Sequence, residues 1–120
     1  MTDKRHARVG AIMIDCHDPA ALFAFWSRIV GVEIEHRYPA YIFTTTLPGN
    51  NIRLAFQQVP EDKIVKNRLH LDLAHPEPEN FIAQVESLGG SRIEDHRTGD
   101  FSWTVLADPE GNEFCITAEH

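Results

Sequence analysis

Asp108-Pro109-Glu110-Gly111-Asn112-Glu113-Phe114-Cys115-Ile116 is the stretch that decides the fold. Proline at the second turn position fixes φ, and glycine at the fourth accepts a positive φ, so the chain should fold back on itself here. Trp103 to Ala107 then enters the turn and Glu113 to Thr117 leaves it, which makes a β-hairpin. An earlier part of the chain echoes this one. Tyr41 to Leu54 lies over Trp103 to Ile116 with Gly49 on Gly111 and Asn50 on Asn112, and Val9 to Ile14 lies over Arg68 to Leu73 with Gly31 on Gly90. Because the pairings keep a common order, the chain reads as two copies of one module, each a strand, a helix and a meander of strands.

Each helix carries its own start and stop. In the first module Asp18 suits an N-cap and Pro19 the first helical position, and Leu22, Phe25, Trp26, Ile29 and Val30 form an apolar stripe that ends at Gly31. In the second, Pro78 opens a helix whose Phe81, Ile82, Val85 and Leu88 share one face, and Gly89-Gly90 closes it. One helix covers one sheet face per module, so alternation along the strands assigns side chains to the other. Leu69, Leu71 and Leu73 should pack inward while His70 and Asp72 point away; likewise Gly10, Ile12 and Ile14 against Ala11, Met13 and Asp15. Phe114 and Ile116 should face in. Glu113, Cys115 and Thr117, with Arg53, Ala55 and Gln57 of the first module, should share the open face. Half the chain alone buries too little apolar surface to be stable, so the two modules are expected to form one domain over residues 1–120, with modules at about 8–60 and 67–118.

With a helix opening on Asp18-Pro19, a Phe25-Trp26 pair inside it, a glycine after Val30 and the closing Asp108 to Phe114, the chain resembles the vicinal oxygen chelate superfamily, in its glyoxalase-like, bleomycin-resistance-like branch. The resemblance covers Val9 to Ala118. It implies an α+β fold in which two βαβββ modules form a half-open curled barrel, whose concave face holds a small molecule, often on a divalent metal. The ligand positions of that superfamily carry over one by one. The opening-strand position, usually histidine or glutamine, is Ala11, and its second-module counterpart is His70. The closing-strand position, usually glutamate, is Cys115, and its first-module equivalent is Arg53. Alanine offers no donor, and a guanidinium that keeps its proton repels a cation. His70 and Cys115 supply two donors, to which Asp72 or Glu113 would add a third. Such a set departs from the oxygen-rich sites of Mg, Mn or Fe(II). The expectation is therefore no metal and no cofactor; the alternative is a divalent metal, held within one chain or by ligands pooled from two.

The ligand-contacting candidates are His70, Asp72, Arg53, Gln57, Trp103 and Cys115, with Tyr41 and Phe101 as further aromatic wall. No catalytic residue is assigned. His70 with Asp72 is the acid/base candidate, because alternate residues on a strand share a face. Arg53 offers a fork to an anionic ligand. The bland alternatives are a hydrogen-bonded sheet histidine, core aromatics and two cysteines acting as small hydrophobes. His17, His36, His75, His96 and His120 fall in loops or ends and read as solvated, and the basic run Lys4 to Arg8 as a solvated tail.

At 42% hydrophobic and 24% charged residues the composition is that of a compact domain, and a formal net charge of −7 argues against nucleic acid and anionic membranes as partners. The opening residues lack a signal-peptide apolar run and no stretch approaches about 18 apolar residues, so a cytoplasmic protein is expected. Phosphate-binding glycine loops, nucleophile elbows and paired cysteine motifs are missing. Two functions of different class remain: a metal-independent binding protein for a small organic molecule, or a lyase, isomerase or dioxygenase using a divalent metal. Whether the chain is an enzyme stays open at this point. Exposed strand edges are most simply covered by a second chain, so a homodimer is expected.

Overall fold

The computed structural model describes residues 5–119. The chain divides into two compact units, Met1–Glu61 and Asp62–His120, and each holds one module. The first contains β1 (Ala11–Cys16), α1 (Pro19–Val30), β2 (Ile34–Tyr38), β3 (Tyr41–Thr46) and β4 (Arg53–Gln58). The second contains β5 (Asp72–His75), α2 (Pro78–Ser87), β6 (Ser91–Thr98), β7 (Phe101–Ala107) and β8 (Glu113–Ala118). Both are βαβββ, as the repeat foretold, and the class is α+β.

The sheets have the same topology, β1-β4-β3-β2 and β5-β8-β7-β6. In each, the opening strand runs parallel to the closing strand and the meander is antiparallel. The helix makes this possible, since a strand returning parallel beside the first needs a crossover. Asp18 caps α1 by accepting the Ala21 N–H at 3.1 Å, and Gly31 ends it in the left-handed region at φ 73°. The buried side of α1 is Leu22, Phe25 and Trp26, that of α2 is Phe81, Ile82 and Val85. No side chain of Glu77 caps α2; instead His75 Nδ1 accepts the Glu77 N–H at 2.9 Å, and the imidazole lies 5.4 Å from the Phe81 ring. Gly90 follows α2 where a methyl group would meet Val85 Cγ1 at 2.5 Å and the Ala107 carbonyl oxygen at 2.8 Å, so glycine is needed for close approach.

Several expectations shift. β1 and β5 begin at Ala11 and Asp72, later than alternation suggested, and Leu69 is 79% exposed rather than packed inward. Pairing first takes hold at Leu71, whose carbonyl accepts the Cys115 N–H at 2.9 Å. The equivalence of the closing strands also slips. Ala11 lies beside Arg53 on β4, whereas Asp72 lies beside Cys115 on β8, and the burial sequences of β4 and β8 coincide when Arg53 is set on Glu113. Cys115 thus corresponds to Ala55, not Arg53. The cause is a bulge between Phe43 and Thr46 and a turn closed by Leu47 N–H to Ile52 O, longer than the one closed by Asp108 N–H to Asn112 O. Ala55, expected on an open face, is fully buried. His36, His75 and His96 sit on β2, β5 and β6, not in loops. His120 and Lys4 lie outside the described residues.

Candidate functional site

The second unit contains a cavity of about 440 Å³ on the sheet face opposite α2. Its floor is β8, which lies between β5 and β7. Register lines up Asp72, Cys115 and Val105 across β5, β8 and β7. One pleat further along β7 stands Trp103, paired with His96 on β6. With roughly 4.8 Å between strands and about 6.7 Å between same-face residues, Asp72 and Trp103 are on the order of 12 Å apart across the cavity. The site therefore has a polar end on β5 and an aromatic end on β6 and β7.

At the polar end His70 Nδ1 lies 3.0 Å from Asp72 Oδ1 and 3.9 Å from Cys115 Sγ. Burial, and then the Asp72 carboxylate beside it, push the Cys115 thiol above its ordinary pKa. A thiol held protonated is a poor nucleophile. Asp72 and Cys115 also meet the same imidazole nitrogen, so the ring cannot be oriented through one nitrogen while taking the thiol proton through the other, as nucleophilic triads require. At the aromatic end the His96 and Trp103 rings stack at 5.2 Å and 13°, and Phe101 tilts 30° to Trp103 at 5.4 Å.

Glu113 bounds the cavity next to Cys115, but its carboxylate is engaged. It accepts the Asn67 N–H at 2.8 Å and bonds from Lys63 Nζ at 3.4 Å and Lys66 Nζ at 3.1 Å, while its carbonyl accepts Asn67 Nδ2. The Asn67 N–H and then Lys66 hold this carboxyl below its ordinary pKa. Glu113 is thus the clasp that fastens the segment leading into β5.

A glyoxalase-like domain model matches residues 11–117. This chain belongs to the glyoxalase-like domain family. Among solved structures, the glyoxalase-like chain is similar to a glyoxalase/bleomycin resistance protein/dioxygenase family enzyme from Burkholderia phytofirmans PsJN, at 19% identity and TM-score 0.76, covering 93% of this chain and 98% of that one. It is similar also to a lactoylglutathione lyase from Agrobacterium tumefaciens, at 14% identity and TM-score 0.65 with 94% of each chain covered. A genomically encoded fosfomycin resistance protein from Listeria monocytogenes matches at 12% identity and TM-score 0.76, covering 96% of this chain and 95% of that one. At such identities the likeness shows the fold. The curated proteins give no significant match.

The divalent centre implied for a glyoxalase-like fold can be tested against the donors present. In the first unit Ala11 and Arg53 are direct neighbours, and the Arg53 guanidinium is committed to the Glu35 carboxylate and to the Thr44 carbonyl oxygen at 3.2 Å. Neither position donates to a metal. In the second unit His70, Asp72 and Cys115 keep one donor atom each within 4.8 Å of one another, the one such group of three among the described residues. That set contains one carboxylate, and the Glu113 oxygens are taken by Lys63, Lys66 and Asn67. These residues do not fit an oxygen-rich divalent site.

Of the sequence candidates, His70, Asp72, Trp103, Cys115 and Phe101 line this cavity. Arg53, Gln57 and Tyr41 belong to the first unit, where Gln57 Nε2 donates to the Tyr41 hydroxyl at 3.4 Å. His96 and Lys66 were missed. The signal for His96 was available: a Gly99-Asp100 turn, with Gly99 at φ 60°, pairs Thr98 with Phe101 and so His96 with Trp103.

Proposed function

We propose that this glyoxalase-like domain binds a small organic molecule carrying a planar ring in the cavity of its second unit, and does so without a metal ion. The carrying observation is the aromatic end: a Trp103 ring backed by His96 and flanked by Phe101 is a preformed wall for stacking. The cavity volume of about 440 Å³ suits a ligand of a few rings. The protonated thiol, the clasped Glu113 and the donorless Ala11 and Arg53 support metal independence. The relatives named as a lyase and a resistance protein show that proteins of this fold act on small molecules, and they do not choose between binding and turnover here.

One observation favours a second reading. The convergence of His70, Asp72 and Cys115 within 4.8 Å would suit a zinc-class ion, which accepts nitrogen, oxygen and sulfur together. An enzyme of the superfamily's metal-using kind would then follow. The two readings separate in one experiment. Indole added to chelator-treated protein should shift the NMR signals of the Trp103 indole N–H and the β8 amides, and Trp103→Ala should abolish saturable binding. Shifts that arise only after one equivalent of zinc is restored would favour the second.

A further inference from the structure

We propose that the ligand of this cavity is a planar aromatic amine or related cation, and that organic acids are rejected; this rests on the cavity reading above and adds the charge of the ligand to it. The charges around the cavity carry the inference. Two carboxylates border it, Asp72 and Glu113, and one ammonium, Lys66. Lys66 and Lys63 both turn to Glu113, which consumes the positive charge locally. Asp72 has no such partner. Its bond to His70 Nδ1 is the one ion-pair contact that the carboxylate makes among the described residues, and no lysine or arginine pairs with it. Cys115, beside Asp72 on β8, contributes no cation either. The polar end therefore presents a carboxylate whose partners among the described residues are an imidazole and a thiol, not a lysine or arginine, and the one ammonium at the cavity is engaged by Glu113.

The aromatic end agrees with that sign. The faces of Trp and Phe carry negative quadrupole density, so a ring or side arm with a positive charge gains there as well. The separation of roughly 12 Å between Asp72 and Trp103 sets the length: a fused ring on Trp103 and a short arm reaching Asp72.

Tryptamine and indole-3-acetate are matched probes, with one ring system and arms of opposite charge. With the full-length protein, titration calorimetry and NMR shifts at Asp72, Cys115 and Trp103 should show tryptamine binding about 5-fold more tightly, the factor set by the upper end of an exposed charge pair. Asp72→Asn should close that gap to within ~2-fold by weakening tryptamine, while circular dichroism confirms the variant is folded. Equal affinities, or tighter binding of indole-3-acetate that Trp103→Ala abolishes, would overturn the charge assignment and leave the cavity reading standing. No shift with either probe would overturn both. A preference for tryptamine that survives in Asp72→Asn would also overturn the assignment, since another group would then read the charge.

Discussion

Glu113→Gln tests whether one carboxylate fastens the segment leading to the polar end of the cavity. The side chain stays nearly isosteric but loses its charge. Its bonds to Lys63 Nζ and Lys66 Nζ join partly exposed groups and are worth about 0.2–1 kcal/mol each at most. The Asn67 N–H bond at 2.8 Å falls from charge-assisted to neutral, a loss of about 1 kcal/mol. The sum, about 1.5 kcal/mol after screening, is roughly a tenfold increase in local opening. Amide hydrogen exchange reads it directly. The Asn67 and Cys115 amides should exchange about tenfold faster in Glu113→Gln, because Cys115 N–H is held by Leu71 O at the end of the same segment. Core amides such as Leu106 should change much less. The acid dependence has a fixed sign. The folded-state pKa of Glu113 is lowered, so its stabilisation is fully present above the ordinary glutamate value and is lost as pH falls through the folded value. Wild-type protein should show accelerating local opening, corrected for intrinsic exchange, below about pH 4.5, and the variant should lack that component. Unchanged exchange at Asn67 and Cys115, with the same acid response in both proteins, would refute the clasp.

Gly90→Ala should destabilise by about 1–3 kcal/mol, lowering Tm by roughly 5–10 °C, because the Ala107 carbonyl oxygen 2.8 Å from the added carbon cannot move aside as a side chain could; calorimetry measures it. Cys115 has a raised folded-state pKa, so its contribution is complete below the ordinary thiol value and fades as pH rises through the folded one. Urea unfolding should accordingly weaken above about pH 8.5 in the wild type, with a shallower slope in Cys115→Ala. Each sheet ends in two outer strands, β1 and β2 in the first and β5 and β6 in the second, and Ile93 on β6 is 51% exposed, so light scattering at micromolar concentration should give the mass of a homodimer.

Local chemistry made much of this fold legible. Asp18-Pro19, Gly31, Pro78 and the Gly111 turn act within a few residues of themselves, and each produced the expected helix start, helix end or hairpin. Alternation put His70, Asp72 and Cys115 on one face, since a period of two survives an error in where a strand begins. It failed at Leu69, because strand onset depends on the pairing partner, here Leu71 with Cys115, rather than on the strand's own sequence. The internal repeat misplaced Arg53 because a bulge and a longer turn shift register with no change in residue type. Arg53 suits an anion by residue type alone, but Glu35, on another strand, engages its guanidinium. The Glu113 clasp joins residues 46 to 50 positions from it, a separation that no local pattern announces. No helix among the described residues is long and apolar enough to cross a membrane.

Titration calorimetry of the full-length protein with indole, run with and without EDTA, tests metal-independent binding most directly. The cavity requires one saturable site, the same heat and affinity in both buffers, and loss of that heat in Trp103→Ala. Binding that vanishes with EDTA and returns with one equivalent of a transition metal, or no binding in either buffer, would contradict it.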